Sequence, residues 1–185
     1  MFMPFSHTMA SMSTSAAFLC SASRFVCETI ERCLEAARLA PSACNAQPWT
    51  FVVVDEPQLR RAIAEKTFGP LLSFNKFTLQ APVLVAIVSE RQNLSATIGT
   101  VVKHKAFNQM DVAIAAEHFC LAATEAGLGT CMLGWFDEAA IKTILKVPER
   151  KRIELLLTLG YPADDTVRPK KRKPADQFRT YNRYA

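Results

Sequence analysis

Apolar positions along this chain switch between two spacings, and the switches mark its elements. From about Glu28, the residues Ile30, Cys33, Leu34 and Ala37 recur three and four apart with charges between them, which predicts an amphipathic helix that Pro41 stops. Thr50-Phe51-Val52-Val53-Val54 predicts a strand, and its apolar run is too continuous for one face to meet water. Pro57 suits the first turn of a helix reaching about Lys66. Pro82 to Ser89 is a second buried strand. Asn108 to Ala126 is the longest helical segment, apolar around most of its circumference, which predicts a central helix. Gly127 and Gly129 on either side of Leu128 end it. A short strand through Cys131 and Met132 follows, then a helix starting near Asp137, a good N-cap, and a last strand from Ile153 to Gly160. Helices alternating with strands buried on both faces predict an α/β or α+β layer covered by helices on each side.

With 185 residues, half of them apolar and 21% charged, the chain has the composition of one globular domain, which excludes a disordered, collagenous or coiled-coil protein. No apolar run reaches the ~18 residues of a membrane-spanning helix. The net charge of +5 is local: residues 168–185 hold seven Lys or Arg against Asp176 alone, and the remaining residues carry a net −1. A small anion or a contact between tail and body suits this better than a duplex, so neither nucleic acid nor membrane is expected as a partner. The six cysteines show no C-x-x-C and no Cys/His cluster at zinc spacing. They are expected to be small reduced core residues, which implies a reducing, cytoplasmic compartment. His118, inside an apolar helix, is expected to be packed, and no metal is expected. Residues 1–23 carry no Lys, Arg, Asp or Glu and read as a flexible leader rather than a signal peptide. Residues 24–162 form the core domain, and 163–185 a basic C-terminal extension too poor in apolar residues to build a core of its own.

Three places carry candidate chemistry. Ser42 and Asn45 put short polar side chains in the loop after Pro41, where they could meet the edge of a flat heterocycle or simply cap the loop in an Asx turn. Gly134 permits close backbone approach, or serves only as a turn residue. Lys170 and Arg172 lie in a Pro-flanked extended stretch, where alternation sends both to one side. They could grip a phosphate, or be a solvated basic tail.

Leu39-Ala40-Pro41-Ser42-Ala43-Cys44-Asn45-Ala46-Gln47-Pro48-Trp49, after Ala37-Arg38 and before a Phe-Val-Val-Val strand, resembles the signature of the FMN-dependent nitroreductase family. Asp111 opening a long Ala-rich helix, Ala126-Gly127-Leu128-Gly129-Thr130-Cys131, Gly134-Trp135, Leu159-Gly160-Tyr161-Pro162 and Arg168-Pro169-Lys170-Lys171-Arg172-Lys173-Pro174 follow in the family's order. The resemblance spans Glu28 to Pro174. It implies an α+β fold, a nitroreductase-like mixed sheet flanked by helices, with the C-terminal tail extending over the partner subunit. It also implies a homodimer with two flavin sites at its interface. The cofactor would be FMN, and the activity transfer of hydride from NADH or NADPH through flavin N5 to a flat electron-poor acceptor such as a nitroaromatic or quinone.

By the same resemblance, the loop of Pro41, Ser42, Asn45 and Gln47 lies along the flavin's pyrimidine side, with Ser42 supporting the loop. Asn75 bonds the ring, and Lys76 adds positive charge near N1 and O2. Leu133 and Gly134 form the loop whose Gly134 N–H points at N5, the catalytic position. Lys170 and Arg172 hold the phosphate, and Trp49 is core. One departure stands out. Family members begin with an Arg-Arg-Ser-x-Arg motif, where this chain has Ser13-Thr14-Ser15-Ala16-Ala17-Phe18 and no arginine before Arg24. Each missing charge-assisted bond weakens phosphate binding by ~1.5–3 kcal/mol. The alternatives on the same fold are therefore a non-enzymatic flavin or small-ligand binding protein, or a reductase of a specialised metabolite, including reductive dehalogenation.

Overall fold

The computed structural model describes residues 24–70, 73–90, 105–163 and 169–184. In chain order its main elements are α1 (Arg24–Arg38), β1 (Trp49–Val54), α2 (Pro57–Ala64), β2 (Val83–Ser89), α3 (Phe107–Glu125), β3 (Gly129–Leu133), α4 (Glu138–Leu145), β4 (Arg152–Gly160) and the one-turn α5 (Ala175–Phe178). Two 3-10 turns, Ala43–Asn45 and Lys76–Gln80, lie in the connections. None of the described helices is long and apolar enough to cross a membrane.

The described strands form a four-stranded sheet in the order β1-β2-β4-β3, with every pairing antiparallel. The parallel pairing that would make the sheet mixed, as the resemblance implies, does not occur among the described residues of this single chain. The continuous apolar strands are explained by cover on both faces. On one face Val83, Val85, Ile87, Leu157 and Leu159 pack against Ile30, Cys33 and Ala37 of α1 and Val112, Ala116, Phe119, Cys120 and Ala123 of α3. The small residues of α3 allow close approach, and Phe119 stacks on Phe51 with ring centroids 5.8 Å apart. On the other face Leu84, Ala86, Val88, Leu133, Ile153 and Leu156 pack against Ile63 and Ala64 of α2 and Ile141 of α4. Burying each large side chain is worth about 1.5–3 kcal/mol, so the two clusters dominate the fold's stability.

A bulge adjusts β4. Ile87 pairs with Leu155 but Val88 pairs with Ile153, so Glu154 is an extra residue, and Ile153 joins the α2/α4 face while Leu155 joins the other. Helix ends follow local chemistry: the Glu56 side chain accepts the Gln58 and Leu59 N–H groups at the start of α2, and Asp137 accepts the Ala140 N–H at 3.0 Å at the start of α4.

One expectation needs correction. The cysteines are not uniformly core: Cys33 and Cys120 are buried and Cys27 and Cys131 half-buried, but Cys44 is exposed in the loop after α1. Burial pushes the Cys33 and Cys120 thiols up to about 11, so both are inert at neutral pH. Among the described residues, α3 packs against the sheet, α1 and the Ala43–Asn45 turn, with seven of its residues buried, while Met110 is 52% exposed and Ala113 is exposed. His118 is packed as expected, half-buried with Nδ1 at 2.9 Å from the Ile114 carbonyl. Trp49 is half-buried against the first cluster.

Candidate functional site

The loop after α1 is held in an unusual shape. Ser42 is extended, and three non-glycine residues in the next five, Cys44 (φ 52), Asn45 (φ 51) and Gln47 (φ 46), take left-handed backbone. Asn tolerates this, but Cys and Gln each incur of order 1–3 kcal/mol of strain, which persists only where surrounding bonds enforce it. Within the loop, Gln47 N–H donates to Ser42 Oγ at 2.9 Å, and Gln47 Nε2 donates to Asn45 Oδ1 at 3.1 Å. Asn45 N–H donates to the Ser42 carbonyl at 3.1 Å. Ser42 therefore braces the loop, and Pro41, Asn45 and Gln47 remain exposed around it. From outside the loop, the Asp111 carboxylate of α3 accepts the Ala43 N–H with both oxygens at 3.1 Å.

The second group surrounds the end of β3. Leu133 is buried, Gly134 is exposed and Trp135 is 59% exposed. Among the described residues a Cβ built on Gly134 meets nothing within 4 Å, and its φ is not positive, so neither crowding by those residues nor backbone conformation calls for glycine there. The turn is nonetheless fixed. Asn75, 3% exposed, donates its Nδ2 hydrogens to the Trp135 carbonyl at 3.0 Å and the Thr67 carbonyl at 3.1 Å. Asp137 N–H donates to the Lys66 carbonyl at 2.8 Å. Thr67 and Thr78 hydroxyls bond one another at 2.9 Å beneath.

The third group is on the tail. Lys170 is half-buried and Arg172 exposed, with Arg172 Nη1 donating to the Lys171 carbonyl at 3.1 Å. Lys170 has its pKa lowered, first by loss of solvent around the ammonium and then by the neighbouring Arg172 charge. An anion between two such cations relieves their repulsion.

Of the residues singled out from sequence, Asn75 and the Gly134–Trp135 turn are thus bonded to each other, the 41–47 loop is tied to α3, and Lys170 and Arg172 stand two positions apart on the tail; no hydrogen bond among the described residues joins these three groups to one another. Lys76 is exposed next to Asn75. The stretch Ser13 to Phe18, where the arginine motif is missing, lies outside the described residues. Sequence reasoning missed the clamp made by Asp111, which reaches across 68 positions and carries no local signal beyond an acid inside an apolar helix.

This architecture, an antiparallel sheet between two helical layers, has known counterparts. The model of the nitroreductase family matches residues 27–161, and the chain belongs to that family. A putative NADH dehydrogenase/NAD(P)H nitroreductase of Archaeoglobus fulgidus is 31% identical over 143 residues, covering 75% of each chain. A solved structure of a nitroreductase family protein from Clostridium novyi NT superposes with a TM-score of 0.63 at 31% identity, covering 75% of this chain and 76% of that one. Iodotyrosine deiodinase of Drosophila melanogaster is 28% identical over 162 residues, 76% of this chain. The chain spans 56% of that deiodinase's length and 60% of the length of its Sus scrofa counterpart.

Proposed function

We propose that this protein is an FMN-dependent oxidoreductase that takes hydride from NADH or NADPH and passes it to a flat, electron-poor acceptor, a nitroaromatic or a quinone. The observation that carries the reading is the Gly134 turn: an exposed backbone amide, open space where a side chain would stand, and a clamp from Asn75 that keeps the turn rigid. Such a site suits a ring that must approach backbone closely. The tail supplies the complementary charge, since Lys170 and Arg172 form a cationic pair fit for a phosphate. When bound, FMN supplies the two-electron chemistry at N5.

The chain's own residues bind and orient. Gly134 donates its N–H toward the reacting atom, with Leu133 backing the turn. Asn75 offers its side-chain oxygen to the ring while its amide hydrogens hold the turn. Asn45 and Gln47 line the pyrimidine edge, Pro41 ends α1 so that the loop can turn toward it, and Ser42 keeps the loop in shape. Lys170 and Arg172 hold the phosphate. The exposed outer side of α3 at Met110 and Ala113, together with exposed Leu39, supports a homodimer across that helix, with the tail lying on the partner. The test is the absorbance spectrum from 300 to 550 nm of protein mixed with FMN and passed through gel filtration, followed by NADH or NADPH. Retained flavin bands that bleach on adding nicotinamide support the reading; a colourless protein refutes it.

A second reading, reductive dehalogenation of an iodinated phenol, is favoured by the deiodinase relatives. Turnover of 3-iodotyrosine against that of a nitroaromatic by the flavin-loaded protein separates the two.

A further inference from the structure

We propose that Asp111 is a positioning residue for the cofactor loop, setting through one hydrogen-bonded clamp where Ser42, Asn45 and Gln47 stand. The inference rests on the functional reading above for what the loop does, and on geometry alone for the clamp. The bonds inside the loop, Ser42 with Gln47 and Gln47 with Asn45, fix its shape but not its place. The Asp111 carboxylate supplies the place. It is 4% exposed, it sits in the second turn of α3, and it holds the Ala43 N–H between its two oxygens at equal distances of 3.1 Å. The helix it stands on is packed against both the sheet and α1, so the carboxylate is a rigid post.

Two features mark this as more than filling. A buried carboxylate is costly to desolvate and is retained where a specific donor meets it. The donor it meets opens a segment in which three left-handed residues follow within four positions. Releasing Ala43 lets that strain relax into other backbone conformations, and the polar edges of Asn45 and Gln47 move with it.

The experiment compares Asp111→Ala and Asp111→Asn in the full chain, reading amide hydrogen exchange and FMN dissociation constant. Asparagine keeps an oxygen acceptor at the same place. With Asp111→Ala, exchange at residues 43–47 accelerates while Val85, Phe119 and Cys120 keep their protection, and the FMN dissociation constant rises roughly ten- to a hundredfold. With Asp111→Asn both stay within about threefold of the parent. Should Asp111→Ala not fold, Ala43→Pro removes the donor instead: Ser42 before it is extended, as a residue preceding proline must be, and the same loss of FMN affinity is expected. Unchanged exchange at 43–47, uniform loss of protection across α1, α3 and the sheet, or an Asp111→Asn variant as impaired as Asp111→Ala each overturns the proposal. If the parent protein binds no FMN, the functional reading fails, and the exchange comparison still decides the clamp.

Discussion

Replacing Gly134 by alanine separates a turn glycine from a ligand-facing one. The structure fixes both sides of the comparison. A Cβ at this position meets no atom of the described chain within 4 Å, and the backbone does not use the left-handed region. In the free protein the methyl therefore strains nothing, and the narrower unfolded ensemble stabilises the variant by about 0.4–1 kcal/mol. If Gly134 faces the flavin as proposed, the same methyl in the cofactor-bound protein stands where the reacting ring would approach the Gly134 N–H. Displacing the reacting atoms by about 1 Å lowers turnover roughly a hundredfold. The assay pairs urea denaturation of the apo protein with NADH- or NADPH-driven reduction of a nitroaromatic by the FMN-loaded one. Equal or higher stability with a turnover loss near two orders of magnitude is expected. A variant with parental turnover refutes the reasoning, and so does one that loses stability, because the space was then not open.

Ala in place of both Lys170 and Arg172 is expected to raise the FMN dissociation constant at least tenfold in a flavin-fluorescence titration, with circular dichroism unchanged, since both side chains lie outside the two core clusters. Thr158, fully buried in β4, leaves its hydroxyl oxygen without a partner among the described residues, so Thr158→Val is expected to stabilise the protein by about 1 kcal/mol in urea denaturation. Glu138 gives a pH signature: burial pushes its carboxyl up, but the Ile153 N–H, Lys142 and Arg152 outweigh this and hold it below the ordinary range. Its stabilising contribution is thus present above the ordinary glutamate value of about 4.3 and is lost as pH falls through the lower folded value. Glu138→Gln is expected to lower the midpoint of urea denaturation at pH 7 and to flatten the decline in stability below about pH 4.5 relative to the parent.

The sequence made the architecture legible where one face or both faces of an element had to be dry. The runs from Thr50 to Val54 and from Pro82 to Ser89 could be placed between helical layers because no half-exposed strand tolerates such continuity, and α1 could be read from the spacing of Ile30, Cys33 and Ala37. Strand order and the bulge at Glu154 were not legible, because both depend on pairing between segments far apart in the chain. Cys44 was misjudged for a related reason: its left-handed backbone and exposure follow from the loop's own hydrogen bonds, which composition does not report. At the site, motif residues could be found singly, since each has a local signature, such as a proline stop, a lone glycine or paired cations. What holds them was hidden. The Asn75 bond to Trp135 crosses 60 positions and the Asp111 bond to Ala43 crosses 68, and no spacing rule reaches that far.

The central claim is that the loop, the Gly134 turn and the tail together suffice to hold FMN although residues 1–23 contain no arginine. The most direct measurement is isothermal titration of the purified protein with FMN, backed by the 300–550 nm spectrum of the gel-filtered complex and its bleaching by NADH or NADPH. Saturable binding at one FMN per chain, with a bound flavin that nicotinamide reduces, is the expected result. No detectable binding, or a bound flavin that neither nicotinamide reduces, contradicts the account.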